Sequence, residues 1–223
     1  MTRRPHRGRG RGDVPGLRRP GRRPLKTLLL IVGDGEQSEP NYFRGLREEP
    51  AVREGFAIQV HGAAAGDPVS TVKSAIKEIE RDRLSGYEFD AVYCVLDVEA
   101  EGENPLLPRA RRLAAEHGIQ VILSNPAFEV WLLAHFERTA SPFQHAGAAI
   151  RRLNKHWRVQ FSQSYEKADE ALYPRLAGRT RTAIDNAKWV RAVHFAGRQD
   201  TAECNSATEV YGLVEYLRPV GQS

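Results

Sequence analysis

At 223 residues, with 41% hydrophobic side chains and two cysteines, the chain is long enough to bury a core unaided and too poor in cysteine for a disulfide scaffold. Its formal charge is +5, yet Met1 to Lys26 holds ten Lys/Arg against one Asp, leaving 23 basic and 27 acidic residues in the remainder, a net of −4. This excludes a broadly basic folded surface; no run approaches the ~18 apolar residues of a membrane helix, and a reducing cytoplasm is the expected location.

In chain order, TRRPHRGRGRGDVPGLRRPGRRP comes first, rich in Arg, Gly and Pro and nearly free of apolar side chains. It cannot offset its ordering entropy by burial, so disorder is expected over 1–26. The segment resembles RGG-type tails that hold nucleic acid through phosphates, with a solubilising leader as the alternative. No apolar h-region follows its basic residues, which argues against secretion.

Thr27 to Val32 is apolar without alternation, the pattern of a strand buried on both faces. Gly33 and Gly35 suit a turn, and Pro40 suits the first turn of a helix through Tyr42, Phe43 and Leu46, with Ser38 or Glu39 near its cap. Phe56 to His61 alternates as a second strand. From Pro68 to Leu84, Val69, Val72, Ile76 and Ile79 recur at the helical period. A third strand is expected over Ala91 to Leu96, a helix over Pro105 to His117 closed by Gly118, and a fourth strand over Ile119 to Leu123. Strands alternating with helices at these spacings predict an α/β fold with a parallel four-stranded sheet flanked by helices, occupying 27–137.

Ser124-Asn125-Pro126 then reads as a turn that starts an apolar helix reaching Phe136, interrupted only by Glu129 and His135. Beyond it, Phe143 to His156, Tyr165 to Leu176, Arg181 to Phe195 and Ala207 to Leu217 are helical candidates, giving a helical subdomain over 138–223 packed as a cap on the sheet.

Two apolar runs end abruptly in acid. Leu28 to Val32 leads into Asp34, Glu36 and Glu39; Ala91 to Leu96 leads into Asp97, Glu99 and Glu101. Carboxyl ends of parallel strands are where such folds place chemistry. Alternate residues of an extended chain face one way, so Asp97 and Glu99 are expected side by side, with Asp34 at the neighbouring strand end if strands one and three are adjacent in the sheet. Carboxylates converging from two strand ends suit a hard divalent cation such as Mg²⁺. His61, on a strand, and His135, on an apolar helix, read as hydrogen-bonded structural residues.

Taken in order, LLLIVGDGEQSEPNYFRGL, AVYCVLDVEAE, ILSNPAFEVWLLAHF, SYEKAD and CNSATEVYGLVEYL resemble the RloB-like proteins over roughly Thr27 to Leu217. That resemblance implies a Toprim-like, Rossmannoid α/β domain. It also implies a bacterial defence-locus setting, nuclease activity on RNA, such as tRNA, or on DNA, and work with a partner ATPase from the same locus. The chain has no P-loop G-x-x-x-x-G-K-[ST] of its own. Carried over residue by residue, Asp34 stands where the family shows Glu, Glu39 at its second acidic position, Asp97 at the first Asp of D-x-D, and Glu99 in place of the second. The implied metal set is Asp34, Glu39, Asp97 and Glu99, holding Mg²⁺ or Mn²⁺; Glu129, from SNPxFE, is a further candidate ligand. Lys167, in Tyr-x-Lys, is a candidate to neutralise a phosphate oxygen, with a plain surface lysine as the alternative. Asn205, Ser206 and Thr208 read as caps of the last helix.

Because Asp34 and Glu99 depart from the family pattern, a non-catalytic interaction module with a degraded metal site is the rival reading. Transfer to a small molecule would need a closed pocket. Nucleic acid would rest on local patches such as Arg109, Arg111 and Arg112 or Arg151, Arg152 and Lys155.

Overall fold

The computed structural model describes residues 26–64, 66–99, 104–194 and 200–218; the Arg/Gly/Pro-rich stretch before Lys26 and the acidic Glu101 lie outside them. Four strands, β1 (Thr27–Gly33), β2 (Phe56–Gly62), β3 (Ala91–Asp97) and β4 (Gln120–Ser124), form one sheet in the order β2-β1-β3-β4. Every pairing is parallel, with Leu29 opposite Ala91 and Tyr93 opposite Gln120. The two strands that end in acid are therefore the two central neighbours.

β1 cannot slip in that register. Leu29, Leu30, Ile31 and Val32 are fully buried. At about 2 kcal/mol each, their burial is comparable with the whole net stability of a domain. Leu29 and Ile31 join a core on one face of the sheet, while Leu30 and Val32 join another on the opposite face. β3 splits the same way, with Tyr93 and Val95 on the first side and Cys94 and Leu96 on the second.

The second face is covered by α3 (Pro68–Leu84) and α4 (Leu107–Glu116) through Val69, Val72, Leu107 and Ala110. Asp67 caps α3, accepting from the Ser70 N–H at 2.9 Å, and Pro68 opens its first turn. The first face is covered by α1 (Ser38–Leu46), α5 (Glu129–Ala134), α6 (Ala146–Phe161), α7 (Leu172–Leu176), α8 (Thr180–His194) and α9 (Val210–Leu217). Its core is aromatic, with Tyr42 set edge-on to Phe43, Phe128, Trp131 and Tyr173 at 5.1–6.1 Å between centroids. A short helix, α2 (Pro50–Gly55), precedes β2 and had no signal in the apolar spacing.

Some expected elements change. The helix expected after Ser124 is confined to α5, because the Asn125 backbone is engaged across the chain, donating to the Ala207 carbonyl at 2.9 Å and accepting from the Ser206 N–H at 2.7 Å. Of Tyr165 to Leu176 only α7 is helical. The stretch before it is pinned by side chains: Asn154 accepts from the Tyr165 N–H at 2.7 Å, and Asp169 from Ala171 N–H at 2.9 Å. α6 begins and ends later than the expected Phe143 to His156.

The residues 204–209 act as a strap along the outer edge of β4. Ser124 and Thr208 form an antiparallel bridge, their hydroxyls 2.8 Å apart, and Glu209 accepts from the Leu123 N–H at 2.9 Å. Asn205 does not cap α9 as expected. It brackets Phe143, accepting from its N–H and donating to its carbonyl, both at 2.7 Å. Ser206 donates its N–H to the Asn125 carbonyl at 2.7 Å, and Thr208, one residue before the N-cap Glu209, accepts from the Val210 N–H at 3.2 Å without being the cap itself.

Candidate functional site

At the carboxyl ends of β1 and β3, where the strand backbones stop pairing, Asp34 and Asp97 leave the sheet as neighbours. Asp34 donates its N–H to the Val95 carbonyl at 3.0 Å, so the two strand ends are locked together. The chain then turns tightly over this edge. A Cβ on Gly33 would sit 2.8 Å from Glu39 Cβ, and one on Gly62 would sit 2.6 Å from Glu36 Cα and from the Gly35 carbonyl. Only glycine permits so close an approach, and it lets α1 begin directly above the sheet with Glu39 in its first turn.

These elements surround an open cleft of about 310 Å³ lined by Asp34, Glu39, Asp97, Glu99 and Lys167, with Ser38 at its rim. Five of the six candidates thus meet on one surface. Glu129, 1% exposed, lies behind it as the first residue of α5.

The carboxylates differ in how they are held. Thr71, on α3, donates its hydroxyl to Asp34 at 2.6 Å. The Phe128 N–H, just before α5, donates to Asp97 at 2.9 Å. Glu129 accepts from Lys167 at 3.1 Å and from the Tyr165 hydroxyl at 3.3 Å, and that hydroxyl lies 2.9 Å from Ser38 Oγ. Lys167 is therefore no plain surface lysine; its ammonium is paired with a buried carboxylate at the cleft wall. Thr71 carried no sequence signal as a site residue, because its reach to Asp34 exists only through the packing of α3 on β1.

Burial and crowding set the protonation chemistry. Burial raises Asp34, opposed in part by the Thr71 hydrogen bond. Burial pushes Glu39 up to about 7, with the charges of Glu129 and Asp34 adding to it. Asp97 is driven well above the ordinary carboxylate range by burial and then by Glu39, Glu129 and Asp34. Lys167 shows the opposite balance: burial pulls it down, but Glu129, Asp97 and Glu39 outweigh that and hold it above its usual value. Three crowded carboxylates thus share an excess of negative charge that protons or an external cation must offset.

Glu99 does not follow the strand alternation expected for it. β3 ends at Asp97, and Glu99 stands at a φ of +59°, exposed at the cleft mouth, with its N–H bonded to the Pro126 carbonyl at 2.9 Å. The left-handed backbone, costly for a residue other than glycine, turns the chain out of the sheet.

The donor set is all oxygen, which suits Mg²⁺ or Mn²⁺ over softer metals. Among the described residues no group of three or more His, Cys, Asp or Glu is gathered tightly enough to hold an ion unaided. Mg²⁺ commonly takes only one or two protein carboxylates and fills the rest of its shell with water and phosphate oxygens. The residues therefore fit a water-rich divalent site, and do not fit an all-protein cage. His61 lies 3.8 Å from Glu78, away from the cleft, and His135 is buried with Nδ1 3.0 Å from the Trp131 carbonyl.

Compared with known protein families, residues 29–217 match the family described as RloB-like protein. No curated protein and no solved structure matches the chain.

Proposed function

Since this chain belongs to the RloB-like family, we propose that its cleft hydrolyses phosphodiester bonds of RNA or DNA with a divalent cation, Mg²⁺ or Mn²⁺. The observation that carries the reading is the convergence of Asp34, Glu39 and Asp97 at two adjacent strand ends, with charge that nothing within the trio neutralises. Asp97 and Asp34 would be the principal ligands, with Glu39 beside them and Glu99 reaching from the mouth. A bound divalent ion would supply Lewis-acid stabilisation of the phosphoryl oxygens and a lowered pKa for water.

The protein's own side chains do the rest. Thr71 and the Phe128 N–H fix the rotamers of Asp34 and Asp97, so the carboxylates need not reorganise. Glu39, ionising near neutrality, can take a proton from water within the cleft. Lys167, which lines the cleft, offers an ammonium to a phosphate oxygen, restrained by Glu129. Setting the activity in bacterial anti-phage defence with a partner ATPase follows from the family resemblance.

The test is incubation of purified protein with total tRNA and with plasmid DNA in Mg²⁺, Mn²⁺ or EDTA, beside Asp97→Asn, which keeps the shape at the Phe128 N–H. Metal-dependent cleavage lost in the variant is expected; cleavage that survives the substitution overturns the reading. A second reading, a non-catalytic interaction module, is favoured by the absence of a tightly gathered ligand group among the described residues. It predicts no cleavage by either protein under any metal.

A further inference from the structure

Outside the cleft, charge is shared unevenly. Residues 145–181, comprising α6, the loop after it, α7 and the start of α8, hold eight Lys/Arg against three Asp/Glu, while 27–223 as a whole holds 23 against 27. α6 carries Arg151, Arg152, Lys155 and Arg158 and no acidic residue at all. Arg151, Lys155 and Arg158 fall at i, i+4 and i+7, all exposed, opposite the buried stripe Ala149, Leu153 and Trp157. Among the described residues, only Arg152 of the four is drawn into an ion pair, with Glu137 at 2.5 Å.

Other basic stretches are partly answered from within the chain. On α3 the cations alternate with Glu78, Glu80 and Asp82. On α4, Arg111 is locked in a two-pronged pair with Asp200, one prong at 2.6 Å. The acid-free face of α6 has no such compensation, so it attracts an external polyanion.

That face leads to the cleft. Arg158 donates to Ser164 Oγ at 3.3 and 3.2 Å, Asn154 holds the Tyr165 N–H, and two residues later Lys167 stands at the cleft wall. Arg151 to Arg158 spans about 10 Å of helix, and Ser164 to Lys167 adds at most about 10 Å. The path accommodates several successive phosphates. The rings beside it are already covered: Phe136 stacks on His156 at 5.7 Å and lies under Arg179 at 5.4 Å. Phe161 is likewise covered by Arg175 at 5.7 Å, so among the described residues the rings beside this path are taken and recognition falls to the backbone.

We infer that the solvent face of α6, through Arg151, Lys155 and Arg158, is the surface along which a nucleic-acid strand lies as it passes Lys167 into the carboxylate cleft, held by its phosphates. The choice of ligand rests on the phosphodiesterase reading. The surface also answers a physical need of that reading, because an acidic cleft repels phosphates and something beside it must hold them.

The experiment measures binding of labelled single-stranded RNA and single-stranded DNA of equal length to the full chain in EDTA, between about 50 and 200 mM salt, where counterion release sets the slope. Each phosphate contact on a single strand contributes ~0.7 to the slope of log K against log salt. The triple variant Arg151→Gln/Lys155→Gln/Arg158→Gln should lower that slope by about 2. The pair Arg151→Gln/Lys155→Gln, which breaks no ion pair with a described residue, should lower it by about 1.4. The Arg-rich N-terminal segment is present in every protein compared and cancels. Arg109→Gln/Arg112→Gln on α4 should leave the slope unchanged. An unchanged slope in both α6 variants, or an equal fall in the α4 variant, overturns the inference. Loss of slope in protein that cuts nothing keeps the surface and sinks the nuclease reading; cutting with an unchanged slope does the reverse.

Discussion

Two groups of carboxylates sit within one cleft wall of each other and are held in opposite ways. Glu129 is buried and answered from within the chain, by Lys167 and the Tyr165 hydroxyl. Asp34, Glu39 and Asp97 are crowded together with no direct ion pair among the described residues, and burial and mutual repulsion outweigh the charge of Lys167 and push their carboxyls toward protonation. Unequal compensation separates a structural pair from a site built to receive charge from outside.

The sharpest break in that comparison is Asp97→Asn, which removes one member of the unanswered group while keeping its shape. Cleavage should fall on the order of 100-fold or more, measured as initial rate on whichever of tRNA and plasmid DNA is cut, while the melting temperature holds or rises because a repelled charge has gone.

Next in size is the pH response of the uncompensated group. Glu39 titrates near 4.5 unfolded and about 7 folded, so the folded state holds the extra proton between those values. Its contribution is complete below about pH 4.5 and is lost as pH rises through about 7, by up to about 3 kcal/mol. Urea unfolding in EDTA should show this fall, and Mg²⁺ should restore more stability at pH 8 than at pH 5. Equal metal stabilisation at both pH values would contradict a site whose charge is the driving feature.

Smaller is the effect on the paired group. Lys167→Ala strands Glu129 in the wall and should cost about 2 kcal/mol, less than for a fully buried pair because the ammonium is half exposed. Glu129→Gln should cost less, since Lys167 can turn to water. Reversal of that order in urea denaturation would mean the pair is not the partner set that holds Glu129.

The smallest expected change lies in the strap that supports both groups. Asn205→Ala removes two hydrogen bonds to Phe143 and should cost about 1 kcal/mol. Cleavage by the folded fraction should be unaltered, which separates a positioning loop from a chemical one.

Much of the fold could be read from the chain. Apolar runs such as Leu28 to Val32 leave no alternative to a doubly buried strand, and Val69, Val72, Ile76 and Ile79 have only a helical solution, so the parallel sheet and α3 emerged as expected, while the strand order had no signal along the chain. The C-terminal part was less legible: Tyr165 lies at an apolar spacing compatible with a helix, but Asn154 and Glu129 claim its backbone and hydroxyl from outside the local sequence. Asn205 misled for the same reason, since a capping residue and a cross-chain bracket look alike until the distant partner is known.

By itself, then, the sequence determined which carboxylates exist and that two clusters would leave strand ends, because hydrophobic periodicity is a local property of the chain; that the two strands are neighbours came from the sheet order. Tertiary structure alone decided their inequality. Whether a buried carboxylate pairs directly with a lysine 38 residues on, as Glu129 does with Lys167, or is crowded mainly by other carboxylates, as Asp97 is by Glu39, Glu129 and Asp34, depends on contacts across the packed core. Charge compensation is a sum over neighbours in space, and no reading along the chain can perform it.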